Sequence, residues 1–161
     1  MKGELVVLPL YSLKSDGNRY VPARSGINQW NANGRKRKFG EAYIPVPSII
    51  HQISPTFFPP RNIVFELVMP NEMKVDVKLC QSGSKALMSN PNHYLCKWLF
   101  SLIEDEAESL RRFQFRIPYS MEDLTTANAG CVALRKIDDR YSATSLPVGA
   151  FEEYKRQTLG N

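Results

Sequence analysis

Two groups of residues in this chain have the types and spacing to do chemistry. The first is Asp76-Val77-Lys78, with Glu66 upstream and Glu72-Met73-Lys74 beside it. An acidic residue on one strand followed by acid-x-lysine on the next can hold Mg²⁺ on its carboxylates while the lysine stabilises the attacking water or the leaving charge. Every second residue of a half-buried strand is polar in any case, and mixed charges are its usual solvent face. The plainer assignment is therefore preferred, with a small Mg²⁺-dependent nuclease using Glu66, Asp76 and Lys78 as the alternative. The second group is segment 24–38, which joins the cations Arg24, Arg35, Lys36, Arg37 and Lys38 to the amides Asn28, Gln29, Asn31 and Asn33. The cations can neutralise phosphates and release counterions. Carboxamides carry the paired donor and acceptor that match adenine edges, and arginine forks onto guanine. A basic surface tail or a localisation signal would explain the Arg-Lys-Arg-Lys run, but not amides clustered around Trp30. Segment 81–92 (QSGSKALMSNPN) is similarly polar, and alone it reads as an ordinary connection between a strand and a helix.

The charge pattern agrees with the second group. The 161 residues carry a net charge of +5, from 21 basic and 16 acidic side chains. Residues 1–40 hold Lys2, Lys14, Arg19, Arg24, Arg35, Lys36, Arg37 and Lys38 against only Glu4 and Asp16, so all of the excess lies in the first quarter of the chain. Such asymmetry points to a polyanionic partner, nucleic acid or an acidic membrane surface. The basic segment has no amphipathic helix with an apolar face for a membrane, and no run of exposed aromatics suited to stacking RNA bases. His51 and His93 stand in no nucleophile or zinc spacing, and GSKA (83–86) lacks the upstream glycine and following hydroxyl of a phosphate loop. No metal or cofactor is expected. Cys80, Cys96 and Cys131 read as small buried side chains in a reducing cytoplasm. The first residues, with one lysine and then Glu4, do not read as a signal peptide.

The elements that position these groups read as mainly β. Residues 5–13 form a strand, with Pro9 arguing for an edge or a bulge, and 19–21 its return after the SDGN turn (15–18). Segment 22–40 has neither helical nor strand periodicity and reads as a long functional loop. Residues 42–47 are extended and 48–53 make one or two helical turns. Strands 62–69 and 73–80 form the clearest hairpin, because Val75, Val77 and Leu79 alternate with Lys74, Asp76 and Lys78. Asn92 caps a helix to about Ile103, with Leu95, Trp98, Leu99 and Leu102 on one face. Residues 113–117 (FQFRI) read as a strand. Ser120 to Asp123 is a capping box opening a helix that Gly130 ends. A second hairpin spans 131–145, and the amphipathic tail 148–159 is read as helical. About six or seven strands and about two or three short helices, joined by irregular loops, favour a barrel or open pseudobarrel over a parallel α/β sheet. No internal linker divides residues 1–161.

These residues resemble a known family. SGINQW (25–30), NGRKRKF (33–39), GEAYIPVP (40–47), FFP (57–59) and GSKAL (83–87) with the helix after Asn92 are similar to the B3-type DNA-recognition domain of NgoFVII-like restriction endonucleases. That domain is related to the specificity domains of BfiI and EcoRII. The resemblance runs well over about residues 8–103. It implies an open seven-stranded B3-like pseudobarrel and a bacterial, cytoplasmic restriction–modification protein that reads double-stranded DNA through two arms in the major groove. The N-terminal arm would comprise Arg24, Ser25, Asn28, Gln29, Trp30, Asn31, Asn33, Arg35, Lys36, Arg37 and Lys38. The C-terminal arm would comprise Gln81, Ser84, Lys85, Met88, Ser89, Asn90 and Asn92. Gln29 stands as an insertion before the tryptophan, and Asn31 replaces the glycine that usually follows it, so the family's target sequence does not transfer. The family's cleavage comes from a separate domain with a His-x-Lys motif that this sequence lacks. The resemblance thus implies a non-catalytic, monomeric specificity module whose parent protein supplies the nuclease domain.

Overall fold

The structure, a computed structural model, describes residues 3–34, 36–91 and 93–160. In chain order the elements are β1 (Glu4–Pro9), β2 (Ser12–Leu13), β3 (Arg19–Tyr20), a 3₁₀ segment (Gly26–Asn31), β4 (Ile44–Pro45), α1 (Ser48–Ile53), β5 (Phe65–Val68), β6 (Lys74–Cys80), β7 (Ala86–Ser89), α2 (Tyr94–Ile103), α3 (Glu106–Gln114), α4 (Met121–Ala127), β8 (Cys131–Ile137), β9 (Arg140–Leu146) and α5 (Ala150–Leu159).

A seven-stranded mixed sheet forms the centre, in the order β1-β8-β9-β5-β6-β7-β4. All pairings are antiparallel except β5 with β9. β2 and β3 form a separate ribbon. The edge strands β1 and β4 touch without pairing, so the sheet curls but is not a closed barrel. Pro9 ends β1 at an edge, where a missing amide donor costs least. The alternation read from β6 holds: Val75, Val77 and Leu79 are buried and Lys74 and Asp76 exposed. β1 does not alternate. Val6, Val7 and Leu8 are all buried, because α5 packs Phe151 and Tyr154 onto the strand's other side. No helix among the described residues is long and apolar enough to cross a membrane.

Helix is more abundant than the expected two or three short pieces: five α-helices lie among the described residues. The main correction is at 113–117, which is not a strand. Phe113 and Gln114 end α3, and Phe115 is its cap. Asp105 accepts the Glu108 amide at 2.9 Å, Glu106 and Glu108 lie in the first turn, and Arg111 and Arg112 in the last. Cap and charges both favour helix, and they outweigh the short alternation of Phe113 and Phe115. The second correction is at 86–89, read as loop but pairing as β7 with both β6 and β4. Four residues are too few for a periodic signal, and consecutive Ala86 and Leu87 are both buried. The Ser120–Asp123 capping box is present, but α4 ends on Asn128 in the left-handed region. Gly130 instead packs where a Cβ would meet Val148 at 2.3 Å.

A polar latch holds α5 to the start of the chain. The Tyr11 hydroxyl donates to Glu152 at 2.5 Å, Arg19 Nε donates to the other carboxylate oxygen at 2.6 Å, and the Gly149 amide donates to the Tyr11 hydroxyl at 3.0 Å. Burial alone would raise the Glu152 pKa, but the hydrogen bonds from Tyr11 and Arg19 outweigh it and hold the carboxyl below its ordinary 4.5. A carboxyl depressed in the folded state contributes stability that is complete above its unfolded value and is lost as pH falls through the folded one. Glu152→Gln is therefore expected to lower stability by about 1.5–3 kcal/mol at neutral pH. Thermal melts of both proteins should converge on acidification below the ordinary carboxylate range. A gap that stays constant to low pH would refute this account of the latch.

Candidate nucleic-acid interface

The basic segment begins at a bend. Ser25 is extended and Gly26 turns at φ +59° with the Pro45 ring packed against it, so a side chain there would be strained and crowded. The 3₁₀ segment that follows buries Ile27, Asn28 and Trp30. Asn28 is fully buried. Its amide donates to the Pro22 and Tyr119 carbonyls, and its carbonyl accepts the Tyr119 amide, all at 2.9 Å. Trp30, 2% exposed, lies against Phe113 with ring centroids 5.6 Å apart. Phe39, past the basic run, contacts the same Phe113 ring at 5.8 Å. The described residues between 31 and 38 thus lie in a segment held at both ends against one aromatic side chain. Gly40 (φ +87°) closes it where a Cβ would lie 2.7 Å from the His93 carbonyl oxygen and from Lys97 Cγ.

The residues expected to form the N-terminal arm therefore divide. Asn28 and Trp30 are interior. Arg37 is paired with Glu41 at 3.2 Å, the two side chains 11% and 7% exposed, so its charge is largely neutralised within the protein. Asn31 donates to the Ala23 carbonyl at 3.1 Å and is half-buried, as are Ser25 and Gln29. Arg24, Asn33, Lys36 and Lys38 are exposed. Arg35 lies outside the described residues. Arg24, Asn31, Asn33, Gly34 and Lys36 line an open cleft of about 730 Å³ together with Arg116. No carboxylate is among its described lining residues. Arg116 was not singled out in the sequence, because it falls in the stretch read as a strand and carries no motif.

The residues expected to form the second arm divide as well. Gln81, Ser84 and Lys85 belong to the β6–β7 hairpin tip, where Ser84 N donates to the Gln81 carbonyl at 3.0 Å. Arg61 donates to the same carbonyl at 3.2 Å, and His51 Nε2 lies 3.0 Å from the Ser84 carbonyl oxygen. Met88 is half-buried opposite Lys78, and Ser89 is buried, its hydroxyl accepting the Leu95 amide at 2.9 Å. Asn90 is exposed, and Asn92 lies outside the described residues. β7 separates Lys85 from Asn90 by about 16 Å of strand. Because β4 runs antiparallel to β7, the base of the basic loop meets the Asn90 end, and the hairpin tip lies at the other. His93 stands at that base with its pKa lowered, first by burial and then by Lys97 and Lys38.

Glu66 and Asp76 are direct cross-strand partners, and Lys74 reaches Glu66 at 3.8 Å with both side chains more than half exposed. The described residues contain no group of three or more His, Cys, Asp or Glu that could hold a metal ion.

The family model for the NgoFVII C-terminal B3-like DNA-binding domain matches residues 6–103. No curated protein matches the chain.

The geometry at Asn28 yields a stability prediction. Asn28→Ala leaves the buried Tyr119 amide and two carbonyls without that partner and should cost about 2–4 kcal/mol. Asn33→Ala, at an exposed loop position, should stay within about 0.5 kcal/mol of the parent. Urea unfolding of the three proteins checks this, and equal midpoints for all three would contradict the bracing role.

Proposed function

Because the chain belongs to the family of NgoFVII C-terminal B3-like DNA-binding domains, we propose that it recognises a specific double-stranded DNA sequence as the specificity module of a type II restriction endonuclease. The observation that carries this reading beyond the family is the cleft at the basic loop, which collects cations with the amides Asn31 and Asn33 and is lined by no described carboxylate. Residues 1–161 act as one monomeric, non-catalytic module with the curled sheet as an open pseudobarrel, joined to a nuclease domain in a bacterial cytoplasmic protein of a restriction–modification system.

Two arms enter the major groove. In the N-terminal arm Arg24, Arg35, Lys36 and Lys38 hold phosphates, while Gln29, Asn31 and Asn33 meet base edges. Ser25, Asn28, Trp30 and Arg37 set the loop's shape. In the second arm Gln81, Ser84 and Lys85 reach the DNA from the hairpin tip, braced by Arg61 and His51. Asn90 does so beside the base of the first arm, Asn92 is a further contact of this arm, and Met88 and Ser89 support the strand between Lys85 and Asn90. Glu66, Asp76 and Lys78 form the mixed-charge outer face of β6 and its neighbour.

Selection of binding sites from randomised duplex DNA is the direct test. A consensus sequence is expected, and recovery of unselected sequence would sink the proposal. Plasmid DNA incubated with the chain and Mg²⁺ or Mn²⁺ should stay intact; nicking that disappears in Asp76→Ala would replace this function with the nuclease.

The division of roles predicts different mutant behaviour. With about five phosphate contacts, log K should fall with log salt at a slope near −5. Lys36→Ala or Lys38→Ala should weaken selected and scrambled duplexes alike and lower the slope by about one. Alanine at Gln29, Asn31 or Asn33 should, for the set as a whole, cost about 1–3 kcal/mol on the selected site and little elsewhere. Parallel losses on both duplexes from every amide variant would make the loop electrostatic only.

A further inference from the structure

We infer that Arg116 grips a backbone phosphate of the bound duplex from outside the arms, so that one DNA strand is held in a two-sided cleft with Arg24 and Lys36 on the facing wall. This rests on the reading of the basic loop as a duplex DNA contact. Arg116 lies beyond residue 103, where the family match ends, and so belongs to the part of the chain that the family resemblance does not describe.

Three observations converge on it. First, Arg24, Lys36 and Arg116 line one cleft, and none of the three makes an ion pair among the described residues. Cations gathered around a concavity without a counter-charge repel one another and focus a positive potential, which an anion relieves. Second, Arg116 is held in place rather than left on a free loop. It sits at φ +58° just past α3, with its amide on the Phe113 carbonyl at 3.4 Å and the next amide, of Ile117, on the Arg112 carbonyl at 2.9 Å. Third, the wall carrying Arg116 is tied to the wall carrying Arg24 and Lys36. The Asn28 bonds to Tyr119 lie three residues on from Arg116, and the Trp30 and Phe39 contacts to Phe113 lie three residues before it. The backbone on both sides of the cleft is thereby anchored to one pair of residues, Phe113 and Tyr119. A phosphodiester suits such a site, being an anion with two free oxygens that an arginine fork can take in a bidentate bond. The neighbouring amides Asn31 and Asn33 then stand beside that phosphate, close to the bases it links.

The test compares the wild-type chain with R116G, R116N, R116K and the control R140A, whose cation lies at the start of β9. Binding to the selected and scrambled duplexes is measured across a salt series, with a thermal melt of each protein. Glycine and asparagine both tolerate the left-handed backbone, so at least one of these two variants should fold like the parent and remove only the guanidinium. The folded variant should bind both duplexes about tenfold more weakly, with the salt slope lowered by about one. R116K should recover most of the affinity, and R140A should match wild type. Wild-type affinity and slope in a folded R116G or R116N would overturn the inference, and so would a loss confined to the selected duplex, which would make Arg116 a base reader. If the wild-type chain itself binds no duplex, the DNA-binding reading fails; if it binds and the Arg116 variants match it, only this inference does.

Discussion

The side chain of Asn28 pairs with the peptide group of Tyr119 as one strand pairs with another, donating and accepting at 2.9 Å, and spends its second donor on Pro22. This joins parts of the chain 91 residues apart inside the protein, where an unmade hydrogen bond is expensive. The arrangement of the basic loop depends on it. The loop's described residues have no sheet partner and little regular structure, and their position comes from this buried amide together with the Trp30 and Phe39 contacts to Phe113.

The segment that receives Asn28 is itself built around Arg112. Its guanidinium bonds Glu104 at 2.6 Å, Asp123 at 3.3 Å and the Pro118 carbonyl at 3.1 Å, and lies over the Tyr119 ring at 4.4 Å. That ring stacks on Phe100 of α2, and its hydroxyl donates to Ser109 of α3. Partly buried ion pairs of this kind add modest net stability but strongly disfavour rearrangement, because separating them strands a charge. Three helices are therefore fixed relative to one another at the point where the basic loop is anchored, which leaves the loop's exposed cations on a rigid base. Rigid placement reduces the ordering cost paid on binding.

The curled sheet has a different task. Its hydrophobic interior, from Val6 and Leu8 on β1 to Leu87 on β7, supplies the scaffold. The Tyr11–Glu152–Arg19 latch closes α5 over the β1 edge. Strand β7 holds the hairpin tip at one end and the base of the basic loop at the other, so the spacing of those two surfaces is set by the sheet's own hydrogen-bond ladder.

The sequence by itself determined what depends on local pattern and composition. The β5–β6 and β8–β9 hairpins, the apolar face of α2, the Ser120 capping box and the concentration of charge and amides at 24–38 were all legible. So was the family, through residues 25–47 and 83–87. Short-range rules govern these features, and alternation, caps and turns are written in neighbouring residues. What only the tertiary structure decided was the fate of individual side chains within that pattern. Nothing local separates Asn28, buried and saturated, from Asn33, exposed in the same loop. Trp30 faces the core and not the solvent because Phe113 lies far away in sequence and close in space. Arg37 is neutralised by Glu41 while Lys36 beside it makes no ion pair among the described residues. The cap and charges of α3 favour helix into 113–117 locally, but it is Arg112 between Glu104 and Asp123 that fixes that helix end against its neighbours, and Arg116 just past it lines the cleft. Burial, ion pairing and the gathering of distant residues around one cleft are properties of long-range contacts, which a linear pattern of residue types does not encode.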